Sequence, residues 1–214
     1  MTFLSLLRVN ASTALRNSTH GKLLTGFLLA LLWSLFAYRH LLAFAGTREW
    51  AYLLIGLSET LTAIMFIVRA APQTISSDRL DWLAAILGTF SPFFFIPGPW
   101  GLVPAAKHAI GIGVLMQIFG MCSLNRSFGL VAAKREIKTR GMYRLVRHPL
   151  YASYLLIFTA YLLANTTVNN GIVWTVAIAS LFFRMLREER HLRSDPAYCK
   201  YMAKVRYRVI PLMF

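Results

Sequence analysis

The chain alternates between long apolar segments and short, strongly basic ones. A helix needs roughly 20 apolar residues to cross a bilayer, and six segments reach or approach that length. They are residues 23–44, 50–68, 82–103, 105–124, 150–164 and 172–185. This pattern predicts an all-α integral membrane protein, a multi-pass bundle of five to six transmembrane helices with a cytoplasmic C-terminal helix.

The third apolar segment is the least regular of the six. Pro92 and the run 97–99, Pro-Gly-Pro, interrupt it. Proline lacks a backbone N–H and disrupts a helix interior. We therefore expect this segment either to end early as a helix or to re-enter the membrane. The fifth and sixth segments are joined by a polar turn at 165–171.

The basic residues are unevenly distributed between the loops. If both termini are cytoplasmic, 20 of the 23 Lys and Arg residues lie on the cytoplasmic side, leaving only Arg39, Arg48 and Lys107 outside. The positive-inside rule then favours six crossings with both termini in the cytoplasm. Without a cleavable signal or a disulfide framework, we expect a prokaryotic inner membrane, or the endoplasmic reticulum in a eukaryote.

The net charge of +15 also bears on the partners of the protein. In a soluble chain it would indicate nucleic acid, but beside six apolar segments it favours anionic lipid headgroups. We therefore expect a membrane and a lipophilic small molecule or lipid as partners, and no nucleic acid. The two cysteines show no Cys-x-x-Cys or Cys/His ligand spacing, so no metal site is predicted.

Polar residues that could carry chemistry concentrate in two regions of the predicted cytoplasmic face. The first, 139–151, holds Arg140, Arg144, Arg147 and His148 immediately before Pro149. Proline suits the first turn of a helix, and the free N–H groups of a helix start form a site for a negatively charged group. The alternative is that these basic residues only set the topology.

The second region, 183–192, contains Arg184 and the adjacent acids Glu188 and Glu189. Pairs spaced four apart, Arg184–Glu188 and Glu189–Arg193, would be typical of a solvated helix surface. The chain has only eight acids, however, and a carboxylate here could bind a cationic or hydroxylated ligand. The two regions are the ends of one helical hairpin, so we expect them to meet.

Glu59 is an isolated acid in the middle of the second apolar segment. An ionisable residue inside a membrane span is costly and is a functional candidate by default. The alternatives are that it pairs with Arg39 or His40 near the outer interface, or that it stays protonated.

The motif Arg-Gly-x-Tyr-x-x-x-Arg-His-Pro-x-Tyr at 140–151, followed by a hairpin, Glu-Glu-x-x-Leu and Tyr-x-x-Tyr, resembles the isoprenylcysteine carboxyl methyltransferases. Phospholipid N-methyltransferases share the block, and the likeness covers about residues 120–214. It implies an enzyme that uses S-adenosylmethionine to methylate a lipophilic or membrane-embedded acceptor at a carboxyl, amine, hydroxyl or thiol group. Residues 125–214 would be the catalytic core, behind a cytoplasmic lead-in at 1–22 and four transmembrane helices at 23–124.

The same resemblance implies roles for eleven residues. The donor-binding set is Gly141, Met142, Tyr143, His148, Pro149, Tyr151, Glu188 and Glu189, and the set that orients the acceptor is Arg144, Arg147 and Arg184. The helix-start N–H groups and His148 are expected to hold the methionine carboxylate, and a glutamate the amino group or ribose hydroxyls. Two positions depart from the family pattern, since Met142 replaces a frequent proline and Ser153 a frequent glycine.

Two other functions stay open at this point. Membrane reductases of the sterol reductase type look similar in this block and use NADPH, whose 2′-phosphate Arg140, Arg144 and Arg147 could hold. Their added spans and longer C-terminal region are missing from these 214 residues. A non-enzymatic small transporter would instead use Glu59 and Arg39 to line a polar path.

Overall fold

The computed structural model describes residues 19–48, 50–70, 74–76, 78–98, 100–129, 133–134, 136–211 and 213. Within these ranges the chain is all-α, as predicted, apart from one two-residue antiparallel pairing. The α-helices are α1 Thr19–Thr47, α2 Trp50–Val68, α3 Arg79–Phe90, α4 Lys107–Leu124, α5 Pro149–Ala164, α6 Val168–Leu192 and α7 Pro196–Lys204. Short 3₁₀ turns occupy Ser91–Phe94, Pro104–Ala106, Asn125–Ser127 and Gly141–Arg144, and the strands are β1 Thr74–Ile75 and β2 Ala133–Lys134.

In the described part of the chain, three helices are long and apolar enough to cross a membrane. They are Leu23–Gly46, Pro104–Ser127 and Val168–Leu192, and two shorter apolar helices are Tyr52–Val68 and Pro149–Ala164. Large apolar side chains such as Leu31 and Phe119 are 50% and 62% exposed, as expected where helices face lipid tails. The protein is an integral membrane protein. The five to six crossings and the cytoplasmic termini stay predictions, and most of the lead-in at 1–22 lies outside the described residues.

The third apolar segment is not a continuous helix over 82–103. α3 ends at Phe90 after 12 residues, and the chain continues through the 3₁₀ turn Ser91–Phe94 into extended backbone. Pro92 lies at the start of that turn, where it ends the helical hydrogen-bond pattern. Twelve helical residues span only about 18 Å, so α3 alone is too short to cross the membrane. The helix therefore ends early, which is the first of the two alternatives that the sequence leaves open for this segment.

The extended chain after α3 finds its hydrogen-bond partners in the polar turn between α5 and α6. Gly98 N–H donates to Asn165 Oδ1 at 3.1 Å. Asn170 is fully buried and pairs with Ile96 in both directions, accepting its N–H at 3.1 Å and donating to its carbonyl at 2.9 Å. Non-helical backbone at membrane depth is tolerated only where protein groups satisfy it. The predicted turn therefore also anchors the chain that follows α3.

Basic segments from distant parts of the sequence meet at one end of the bundle, which we call the basic end. α2, α4 and α6 finish there and α5 begins there. Arg126 Nε donates to Val68 O at 2.9 Å, which joins the ends of α4 and α2. Arg147 Nε donates to Glu189 Oε1 at 2.9 Å, which joins the start of α5 to the end of α6. The two polar regions identified in the sequence are therefore brought together, as expected.

Glycines let α4 approach α5 closely. A Cβ atom on Gly113 would lie 2.6 Å from Ile157 Cγ1, and one on Gly120 would lie 2.9 Å from Leu150 Cδ2. Small residues at helix interfaces allow this close packing inside a membrane, where no hydrophobic driving force acts between helices. The contact fixes the position of α5, which carries the end of the Arg-His-Pro motif.

We expect Gly101→Ala to lower the melting temperature of the purified protein in detergent. A Cβ atom there would lie 2.3 Å from the backbone oxygen of Ala164, which can move only if the end of α5 moves. Overpacking of this kind costs about 1–3 kcal/mol. Gly171→Ala is the matched control, because among the described residues its Cβ atom would meet nothing within 4 Å. Equal melting temperatures for the two variants would contradict the close approach.

Candidate active site

A cavity of about 340 Å³ extends from the basic end into the bundle, between α2, α3, α4, α5 and α6. This volume is typical of small-molecule sites. We call the part next to α7 and the loop before α5 the outer part. Its lining includes Tyr143, Arg187, Glu188, Tyr198 and Tyr201. The inner part lies between α2, α4 and the middle of α5, and its lining includes Ile55, Glu59, Ile110, Val114, Gln117, Tyr154 and Phe158.

Glu189 is the centre of a buried ionic network beside the outer part. Its side chain is 1% exposed. Oε1 accepts from Arg147 Nε at 2.9 Å and lies 3.2 Å from His148 Nε2, while Oε2 accepts from Arg208 Nε at 3.1 Å. Arg193 is 3.8 Å from Oε2, so the predicted pair four residues apart is present. A buried carboxylate is stable only when cations and hydrogen bonds surround it in this way.

The C-terminal tail completes this network through its backbone. The N–H groups of Arg147 and His148 donate to the carbonyls of Tyr207 and Arg208 at 2.9 and 2.8 Å. His148 stands at the N-cap of α5 with φ of −129°, and Pro149 opens the helix, as the sequence predicts. The motif, the tail and the end of α6 thus form one rigid unit around Glu189.

Three buried tyrosines form the wall of the outer part. Tyr143, Tyr198 and Tyr201 pack together with Val205, and Tyr201 Oη donates to Tyr143 O at 2.7 Å. Burial raises the pKa of all three phenols above the usual value, so they remain neutral at physiological pH. Among the described residues, none forms a hydrogen bond with the buried Tyr198 Oη. That hydroxyl is available to a ligand in the cavity.

A second polar group lies one turn into α5. Tyr151 Oη donates to Glu188 Oε2 at 2.9 Å, and the guanidinium carbon of Arg184 is 5.7 Å from the centre of the Tyr151 ring, within cation–π range. All three side chains line the cavity. Consecutive helix residues point about 100° apart, which is why Glu188 faces the cavity while Glu189 is directed into the ionic network.

The structure brings together the eleven residues that the sequence predicts for the site, but only some of them line the cavity. Six do so: Tyr143, Arg147, His148, Tyr151, Arg184 and Glu188. The other five lie around it: Gly141, Met142, Arg144, Pro149 and Glu189. Arg147 and Glu189 form a hydrogen bond with each other that braces the wall of the site. Contact of any of the eleven with a ligand stays a prediction.

Gly141 has a positive φ of 60°, a conformation that glycine adopts without steric cost. A Cβ atom on it would lie 2.4 Å from Ser123 Oγ, and the same hydroxyl accepts from Met142 N–H at 3.3 Å. The glycine therefore lets the loop before α5 close onto the end of α4. Arg144, in the same 3₁₀ turn, is exposed.

Sequence reasoning missed an ionic contact at the edge of the cavity. Arg187 on α6 donates to the carboxylates of Asp78 and Asp81, and Asp78 also caps α3 by accepting Leu80 N–H at 2.9 Å. Arg187 and Asp81 line the cavity. The available signal was that two of only eight acids stand three residues apart before an apolar segment. Nothing local connects Asp78 and Asp81 with an arginine that lies 109 and 106 residues further on.

Sequence reasoning also missed the direction in which Glu59 points. Ser58, Glu59 and Thr62 share one face of α2, and that face lines the cavity. Arg39 is exposed on α1, and His40 Nδ1 lies 2.9 Å from a backbone carbonyl of the preceding turn. Among the described residues, neither Arg39 nor His40 forms an ion pair with Glu59, so the alternative that Glu59 pairs with one of them is not found.

Comparison with known families fits this geometry. Residues 105–195 match the family model described as phospholipid methyltransferase. This region, which we call the matched domain, is similar to phospholipid methyltransferases. The match confirms the family predicted from the Arg-His-Pro motif and its surroundings. No curated protein matches the chain.

The matched domain supplies α4, α5 and α6, together with the loop before α5. Tyr151, Arg184 and Glu188 belong to it. Glu59, Asp81 and the tyrosines of α7 line the same cavity from outside the domain. Residues of the matched domain and of the helices around it therefore line the cavity together.

We expect Glu189→Ala to destabilise the protein severely. It removes the carboxylate that Arg147 and His148 contact inside the protein, and breaking a buried ion pair costs about 3–5 kcal/mol. Glu188→Ala is the adjacent control, which loses one hydrogen bond to Tyr151, worth about 1 kcal/mol. Thermal unfolding in detergent measures both. A Glu188 variant as unstable as the Glu189 variant would contradict the division of roles.

Proposed function

We propose that this protein is an S-adenosylmethionine-dependent methyltransferase acting on a lipophilic, membrane-embedded acceptor. The observation that carries the proposal is the cavity itself, which runs from polar groups at the basic end to an apolar interior. It is built largely by the domain that matches the phospholipid methyltransferase family. Methyltransferases of this family generally take the methyl group from S-adenosylmethionine. A polar donor and an apolar acceptor need such a two-part site.

The outer part fits the groups of S-adenosylmethionine. Glu188 offers a carboxylate for its amino group or ribose hydroxyls, and Arg184 a cation for its carboxylate. The buried Tyr198 Oη has no partner among the described residues and offers a further polar contact. Phe128 and Ile137 give the apolar wall that an adenine ring requires. His148 Nε2 already lies 3.2 Å from Glu189, so we assign the carboxylate to Arg184 first.

The inner part fits an apolar acceptor chain. Trp33, Phe93, Val114, Ile157 and Phe158 line it, and the helices that carry them face lipid on their outer sides. When bound, S-adenosylmethionine supplies a methyl group already activated by the sulfonium charge. The protein then has to align the two reactants and exclude water. A covalent nucleophile among its side chains is not required.

Calorimetric titration in detergent tests this function, with S-adenosylmethionine, S-adenosylhomocysteine and NADPH as ligands. We expect the two adenosyl ligands to bind in the micromolar range. Glu188→Ala should weaken binding of S-adenosylmethionine by about tenfold or more, because a charged hydrogen bond is lost. Arg206→Ala, an exposed side chain that does not line the cavity, should leave it unchanged.

Binding of NADPH alone would favour the reductase instead. If folded protein, judged by its melting transition, binds none of the three ligands, the enzymatic proposal is wrong.

A further inference from the structure

The inner part of the cavity contains a polar group deep within the bundle. Ser58, Glu59 and Thr62 project from α2, and Gln117 projects from α4 opposite them. Glu59 stands nine residues before the end of α2, which is about 13 Å inside the bundle. An ionisable side chain at this depth in a membrane costs free energy, and neither the ionic network around Glu189 nor the proposed donor site includes Glu59.

Glu59 has unsatisfied hydrogen-bonding capacity. Its Oε2 atom is buried, and so is Ser58 Oγ, yet neither has a hydrogen-bond partner among the described residues. Thr62 is satisfied within the protein, because its hydroxyl donates to Ser58 O at 2.8 Å. Buried polar atoms are normally paired, and each exception calls for an explanation. Both unpaired atoms belong to residues that line the cavity, so a ligand is the natural partner.

Glu59 is connected to the outer part through Tyr154. This tyrosine lies one turn beyond Tyr151 on α5 and lines the same cavity. Arg184 and Glu59 also line this cavity. A donor held beside Arg184 and an acceptor held beside Glu59 would therefore meet near Tyr154.

We propose that Glu59 binds the reacting end of the methyl acceptor and takes up its proton, so that the acceptor is a lipophilic amine or alcohol. This inference rests on the proposed methyltransferase function and deepens it. A carboxylate accepts hydrogen bonds and attracts cations, so it selects an acceptor whose reacting atom carries a proton. A carboxylate acceptor would be repelled by Glu59 and would have no proton to give it.

The reaction balances with these groups alone. The acceptor nitrogen or oxygen forms a bond to the methyl carbon while the carbon–sulfur bond of the donor breaks, and the electron pair of that bond remains on sulfur. An alcohol gives its proton to the Glu59 carboxylate as the bond forms, so one positive charge at sulfur and one negative charge at Glu59 disappear together, and the apolar interior holds no uncompensated charge after transfer. An amine bound as the ammonium ion first gives one proton to Glu59 and then attacks as the neutral amine. Its methylated product is again an ammonium ion, because the positive charge passes from sulfur to nitrogen.

Binding of tritiated alkyl probes of one chain length tests the inference without the donor. Dodecylamine, dodecanol and dodecanoate are each added to the protein in nanodiscs, and empty nanodiscs give the background of partition into lipid. We expect the amine or the alcohol to bind above background and dodecanoate not to bind. Glu59→Leu should weaken that binding by about tenfold or more.

Glu59→Gln distinguishes the two acceptor classes. It keeps a hydrogen-bond acceptor but loses the negative charge and the base. Binding lost in this variant indicates an amine. Binding kept, with methyl transfer from S-adenosylmethionine lost, indicates an alcohol. Thr60→Val is the matched control, because Thr60 is the next residue on α2 and is exposed.

Three results would overturn the inference: binding of dodecanoate to the wild type, no binding of either the amine or the alcohol, or equal probe affinity in wild type and Glu59→Leu. The affinity for S-adenosylhomocysteine separates this failure from that of the proposed function. We expect it to be unchanged in both Glu59 variants, since the donor occupies the outer part. If the wild type does not bind S-adenosylhomocysteine, the proposed function fails, and the inference fails with it.

Discussion

The arrangement of the site depends on one buried carboxylate. Glu189 holds Arg147, His148 and Arg208 in direct contact, so the start of α5, the end of α6 and the tail cannot separate without exposing charge in a poorly solvated interior. This network also fixes the rotation of α6 about its axis. As a result Glu188, the next residue, is presented to the cavity. The position of Glu188 in the polar wall of the cavity therefore follows from the anchoring of Glu189.

The opposite end of the α5–α6 hairpin is anchored by hydrogen bonds instead of charges. Asn165 and Asn170 satisfy the extended backbone that follows α3. Helices in a membrane gain little from burying apolar surface against each other, because lipid is equally apolar. Polar contacts at both ends of the hairpin and close glycine contacts along α4 hold the helices together instead. The hairpin that carries Tyr151 and Glu188 is therefore held along its whole length.

Much of this was readable from the sequence, where the signal is local. The lengths of the apolar runs predict α1, α2, α4 and α5, and Pro149 marks the start of α5 because proline suits a first turn. What the sequence does not reveal is which distant groups pair. Arg187 meets Asp81 across 106 residues. For Glu188 and Glu189, adjacent in sequence, the choice between cavity and network depends on a helix rotation set by tertiary contacts.

The division of the cavity between the domain and the other helices has a consequence for specificity. On the proposed function, the donor lies against α5 and α6, which belong to the matched domain. On the inference about Glu59, α2 places this residue against the acceptor from outside the matched domain. Donor chemistry is common to methyl transfer from a sulfonium, whereas the acceptor differs in charge and shape. A change in α2 alone can therefore alter the acceptor while the donor site stays intact. The side chains that line each part of the cavity then determine the function, and the fold keeps the two parts next to each other.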